Sequence, residues 1–173
     1  MYISRAFRLM LAAGFACFAP NVSSAQEIAF PGVAWGEPAE SVRARLVASG
    51  YAFQGGTEGS DQLYRRADSA WVRVDLRDGR AIGVVLVDPA PAEQAEARYE
   101  ALADSLRAAR GEPDEVSPDA RRELVWMSGL SSLAISVSRG GGLRRVEVAW
   151  RGPGWHDEMA RRREERPMPA GYT

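Results

Sequence analysis

The chain has no lysine, a single histidine and a single cysteine, and each scarcity closes a class of chemistry. Without lysine there is no Schiff-base or lysine-general-base catalysis, and no lysine for a phosphate loop. All 22 basic residues are arginine. The one histidine, His156, has no second imidazole and no downstream cysteine to share a metal, whereas structural zinc takes four Cys or His ligands and catalytic zinc usually three protein ligands. No G-x-S-x-G elbow accompanies it, so a Ser-His-Asp triad has no local support. With 23 acidic residues against 22 basic ones, no charge excess points to nucleic acid or an anionic membrane.

What is present begins with a leader. Arg5 and Arg8 precede an unbroken apolar run over residues 9–19, Pro20 breaks it, and Ser23 and Ala25 place small side chains at −3 and −1 of a cleavage site. The run is about half the roughly 20 residues a membrane-spanning helix needs, and polar Gln26-Glu27 follows it. Residues 1–25 therefore read as a cleavable signal peptide, which sets the location as periplasmic or secreted and leaves no transmembrane segment after cleavage. Gly14-Phe15-Ala16-Cys17 departs from a lipoprotein signal, which has a Leu-like residue three before the cysteine, so Cys17 leaves with the leader. The mature chain then has no cysteine, and a hydrophobic core must replace disulfides in an oxidising compartment.

Residues 26–152 read as one α+β domain. Pro38 opens a helix over residues 38–49, whose stripe is Val42, Leu46 and Val47, and Gly50 closes it. Ala95, Tyr99, Leu102 and Leu106 give residues 91–110 a second helical stripe, ended by Gly111 and Pro113. Strand-like runs cover residues 62–66, 70–77, 80–88, 123–127, 130–138 and 143–151. Asp78-Gly79 predicts a type I′ hairpin turn between two of them, and residues 139–142 a second turn. Helix followed by three strands thus occurs twice, in units 35–88 and 91–151. Two αβββ repeats would form an antiparallel sheet of about six strands with both helices on one face. Residues 153–173 read as a charged, disordered tail, within which Asp157/Arg161 and Glu158/Arg162 at helical spacing make residues 155–166 a frayed helix leading to a disordered 167–173 end.

The arrangement of Trp35-Gly36, Val42 and Leu46, then Gly111-x-Pro113 after a helix and before a strand meander, resembles periplasmic helix-plus-meander domains. The SmpA/OmlA outer-membrane assembly lipoproteins have this unit once, and the β-lactamase inhibitory proteins have two tandem copies. The resemblance covers residues 35–151 and implies that fold in an envelope setting. The lipobox of the first group and the disulfides of the second are absent here, so no inhibitory residue is carried over.

Other constellations reduce to surface. Gly55-Gly56-Thr57-Glu58-Gly59-Ser60-Asp61 is one residue too long for a calcium-binding nonapeptide turn and occurs once, which leaves a solvated loop. Asp75 and Asp78 flank a hairpin, and Glu112, Asp114 and Glu115 lie in a linker, so nothing in the sequence sets two carboxylates across a cleft. No metal or cofactor is expected. Strand alternation is more informative. If Val72, Val74, Leu76, Ile82, Val84, Leu86, Leu133, Ile135, Val137, Val146, Val148 and Trp150 face the helices, the residues between them face away. That opposite side holds Trp71, Arg73, Asp75 and Arg77, small Ala81 and Gly83, the Ser132–Ser138 series, and Arg145, Glu147 and Arg151. Trp and Arg are the residues that most often dominate protein–protein binding energy. The reading is a non-catalytic protein-binding or envelope-associated module that uses this face toward another envelope or secreted protein. A small hydrolase or carbohydrate-acting enzyme using surface carboxylates, and a small-ligand carrier, stand as alternatives.

The leader makes a direct prediction: intact-mass measurement of the exported protein will show a chain beginning at Gln26, and a chain retaining residues 1–25 would refute cleavage.

Overall fold

The computed structural model describes residues 30–56, 59, 61–67, 70–117, 121–138 and 143–165. Residues 1–29, with the expected leader and Cys17, three positions of the Gly-rich loop, the expected 139–142 turn and residues 166–173 lie outside the described residues.

The fold is α+β, with one antiparallel sheet of eight strands among the described residues: β1 (Ala52–Gly55), β2 (Asp61–Arg65), β3 (Trp71–Arg77), β4 (Arg80–Pro91), β5 (Glu115–Ser117), β6 (Arg121–Ser128), β7 (Ser131–Ser138) and β8 (Leu143–Arg151). Their order across the sheet is β1-β2-β3-β4-β8-β7-β6-β5. Helix α1 (Ala39–Ala48) precedes β1, α2 (Ala92–Arg110) precedes β5, and α3 (Trp155–Glu165) follows β8. Six strands and two helices were expected. The additional strands are the two edges: β1, which pairs only with β2, and three-residue β5, which pairs only with β6. The third helix occupies the segment expected to be a frayed helix in a charged tail, and it is docked, with Glu158 buried.

Local chemistry accounts for the central strands. Asp78 (φ 51°) and Gly79 (φ 71°) both take positive φ, as a type I′ turn demands, and join β3 to β4. Val72, Val74 and Leu76 point to one side of β3 and are buried with Val42 and Leu46 of α1 and with Tyr51, Tyr64, Ala81 and Val84. A second cluster gathers Ala95, Tyr99, Leu102, Ala103 and Leu106 of α2 over Leu124, Trp126, Leu133, Ile135, Val137, Val146 and Val148. Leu86 touches both clusters, so the two helices lie on the same side of one continuous sheet. The α2 border is polar: Glu96 binds both Arg122 and Arg144, and Glu100 binds Arg122 at 2.7 Å.

One parity assignment is corrected. Between Asp75 and Leu76 the register shifts, so that Asp75 pairs with Gly83 but Leu76 pairs with Ala81. Ile82 is the extra residue of a β-bulge, and such an insertion reverses the side on which everything before it points. Ala81 therefore belongs to the core under α1, and Ile82 leaves the alternation. The start of β4 projects beyond β8 and is completed by the lead-in to α1: Gly36 donates to the Ala81 carbonyl at 2.8 Å, and Ala81 donates to Glu37 at 2.9 Å. That pairing holds Pro38 extended (ψ 140°) as the residue before α1, rather than as its first turn.

Ile135, with no exposed surface, lies at the centre of the α2 cluster, whereas Leu130 at the β6–β7 turn is 80% exposed. Ile135→Ala is expected to cost about 3 kcal/mol in urea unfolding, and Leu130→Ala to stay within about 0.5 kcal/mol. Similar costs at the two sites would contradict this placement of the core.

Candidate functional site

The side of the sheet away from α1 and α2 is built in three transverse rows, fixed by strand register. One row runs Asp61, Asp75, Gly83, Arg151, Ser132, Met127. The middle row runs Leu63, Arg73, Val85, Ala149, Ala134, Val125. The third runs Arg65, Trp71, Val87, Glu147, Ser136, Glu123. Because the opposite faces of these strands carry the core, alternation brings every one of these residues to this side.

The middle row is sealed from Val85 to Val125. Val85, Val125, Ala134 and Ala149 form a small apolar cluster, each at most 6% exposed. Across it the Arg151 guanidinium reaches from the first row to the Glu123 carboxylate in the third, as an ion pair. Such a pair in a partly dry setting costs desolvation of both groups, and its attraction must offset that loss. Ser132 and Ser136 are buried beside it.

One end of the first row is covered by α3. The Trp155 indole N–H donates to Asp75 Oδ2 at 2.8 Å, and the ring rests on Gly83. The Arg151 guanidinium lies over that ring, 4.7 Å from its centroid. Asp75, 2% exposed, also accepts from Arg73 Nε at 2.8 Å, so the buried carboxylate has a cation and a neutral donor. Further along α3, Glu158 is buried, pairs with Arg161 and Arg162, and Arg162 reaches the Leu76 carbonyl. The hydrogen bond from Arg161, aided by Arg162, holds the Glu158 carboxyl down at about 2 against the opposing effect of its burial.

The seven residues singled out in the sequence thus divide. Asp75 and Arg151 are committed to internal bonds. Arg77 is exposed beside Gly154 at the start of α3, and Arg145 is exposed near the far end of β8. Trp71, Arg73 and Glu147 remain partly exposed on the rim. The sequence did not reveal Arg65, whose guanidinium lies 5.2 Å from the Trp71 ring, because that contact needs the β2–β3 register. Nor did it reveal Glu123 or Trp155 as parts of this face.

Two shallow clefts, each of about 360 Å³, lie at the margins. One is lined by Arg77, Asp78, Asp157, Glu158 and Arg161, the other by Ala109, Arg110, Glu112, Asp114, Trp126, Met127 and Ser128. Their carboxylates include groups already engaged: Glu158 as above, Asp114 with the Met127 N–H at 2.6 Å, and Glu112 with Arg107 at 3.6 Å. His156 is exposed, edge-on to Trp155. Among the described residues no three His, Cys, Asp or Glu side chains gather as a metal site. No helix among them is long and apolar enough to cross a membrane.

No family model, curated protein or solved structure matches the chain.

The lowered Glu158 carboxyl gives a pH dependence with a definite sign. A carboxylate held below its ordinary value of 4.5 stabilises the fold above that value, and the contribution is lost as pH falls toward about 2. Amide resonances of α3 should therefore lose their docked positions between about pH 4 and pH 2, before those of β3 and β4. Glu158→Gln should flatten that dependence; an unchanged acid transition in the variant would assign it to other groups.

Proposed function

We propose that the protein is an exported, non-catalytic binding module whose contact surface is the rim around Trp71, on the side of the sheet away from α1 and α2 and beyond the part that α3 covers. The observation that carries this reading is the pairing of a large, partly exposed aromatic with two arginines: Arg65 stacked near its ring, and Arg73 one row away with its side chain 43% exposed. Val87, in register beside Trp71, extends the apolar part, and Glu147 closes the patch. Exposed Trp and Arg are the side chains whose truncation most often costs 2 kcal/mol or more in a protein–protein contact. The arginines favour an acidic surface on the partner. The leader supports an extracytoplasmic partner, in the envelope or secreted.

We also read the chain as a duplication. Helix followed by four strands occurs twice in the element order, and the buried α1 pair Val42 and Leu46 has the spacing of the buried α2 pair Leu102 and Leu106. This agrees with the resemblance to the tandem helix-plus-meander proteins.

A photo-crosslinking amino acid at position 65, compared with one at exposed position 101 on α2, tests the contact surface in the native envelope. A single adduct is expected from position 65 and none from position 101. Trp71→Ala together with Arg73→Ala should reduce it at least tenfold, without changing the circular dichroism spectrum. Adducts of equal yield from both positions, or one indifferent to the double substitution, would remove the reading.

A further inference from the structure

The groups that hold Trp155 form a built seat for an indole. Gly83 is its floor: a Cβ there would stand 2.5 Å from indole Cδ1 and 2.7 Å from Nε1, so the hollow exists because this row position carries no side chain. Asp75, the neighbour of Gly83 on β3, supplies the acceptor for the indole N–H at 2.8 Å. Arg151, its neighbour on β8, supplies the cation over the ring. Three adjacent strands thus provide shape, hydrogen bond and electrostatic complement to one side-chain type. Beside the seat, Ser132 Oγ and Arg151 Nε are buried with no hydrogen-bond partner among the described residues, so the site holds polar capacity that Trp155 leaves unused.

The occupant is lightly held. Of the α3 side chains only Glu158 is fully buried, Trp155, Met159 and Arg162 being partly so. An eleven-residue helix this polar has little stability away from a surface that packs it. It is attached to β8 through Gly152-Pro153-Gly154, and Gly152 is itself fixed, donating to the Ile82 carbonyl at 2.7 Å, so any opening must turn about residues 153 and 154.

We propose that this seat is a receptor for a tryptophan side chain, filled in cis by Trp155, and that a partner protein presenting an exposed tryptophan takes the seat while α3 swings out. The proposal rests on the reading of this face as the contact surface. The link between the two is Asp75, which binds Arg73 of the rim and Trp155 of the seat with the same carboxylate.

The test uses the exported chain and a fluorescent peptide copying residues 152–165 as probe. Trp155→Ala vacates the seat and should bind the peptide at least tenfold more tightly than the wild-type chain. Adding Gly83→Ala should return binding to the wild-type level, and a peptide with alanine in place of its tryptophan should not bind. Equal binding by the wild-type and Trp155→Ala chains, or binding that survives Gly83→Ala, would overturn the proposal. Hydrogen exchange on Gly83→Ala alone supplies a second readout: amides of α3 should exchange at least tenfold faster while those of β3 and β4 hold. Loss of protection in the sheet as well would make α3 an integral part of the fold and equally overturn it. Neither readout needs the natural partner, so a failed crosslink at position 65 and a failed peptide titration are separate results.

Discussion

The pairing of β4 with β8 is the joint on which the rest of the molecule depends. Nine residue pairs, from Gly83 with Arg151 to Pro91 with Leu143, connect a helix and four strands on one side to a helix and four strands on the other. On the helix-covered side the joint sets Val84 beside Trp150 and Leu86 beside Val148, so that the clusters under α1 and α2 meet at Leu86. Without it each half would expose a long central strand edge and one flank of its core, an arrangement prone to pair with other chains. On the reverse side the same register places Gly83 beside Arg151 and Val85 beside Ala149. The joint therefore fixes both the core and the chemistry opposite it.

Much of this was legible in the sequence wherever a residue's role depends on its immediate neighbours. The Asp78-Gly79 turn and the two helical stripes are local signals. So is the alternation along β3, β7 and β8, and the structure contains all of them. Misreadings occurred where the deciding partner is distant. Ile82 breaks alternation by one residue, and nothing in the run from Arg80 to Val87 marks the bulge, because apolar residues occupy both parities. Strands β1 and β5 are short and lie at edges, where burial imposes little pattern. Helix α3 carries charge around its circumference, and its docked side, Trp155, Glu158, Met159 and Arg162, has helical spacing but only two apolar members. Its anchors, Asp75 and Gly83, lie some seventy to eighty residues earlier in the chain.

The face away from α1 and α2 was expected to present its Trp, Arg and small residues to a partner. Apart from Ala81, which the bulge turns into the core, the small residues are where alternation puts them, yet the ion pair between Arg151 and Glu123 spans them and α3 covers their border. Charged residues expected to serve a partner are thus spent within the fold. Arg151 balances Glu123 and covers an indole, while Asp75 satisfies both a guanidinium and an indole N–H. Such arrangements are costly to break from one side, since the partner left behind is a buried charge or donor without a mate. They move the accessible chemistry outward to Trp71, Arg65, Arg73 and Arg145.

Two tryptophans on this face illustrate how surroundings decide a role. Trp155, although it too is partly exposed, has a floor without a side chain, an acceptor at hydrogen-bond distance and a cation above its ring, so its N–H and its seated ring atoms are matched within the chain. Trp71, three strands from Ser136 along the third row, has a guanidinium near its ring and Val87 at its side, yet keeps part of its surface open. A side chain whose surface is already matched can gain from a partner only by exchanging like for like, which is the condition for competition between α3 and an incoming tryptophan. One left partly open gains by burial directly, at about 25 cal/mol for each Å² of apolar surface removed from water. Asp75 and Arg73 connect the two, so occupation of the seat and the position of the rim arginine are coupled through a single carboxylate.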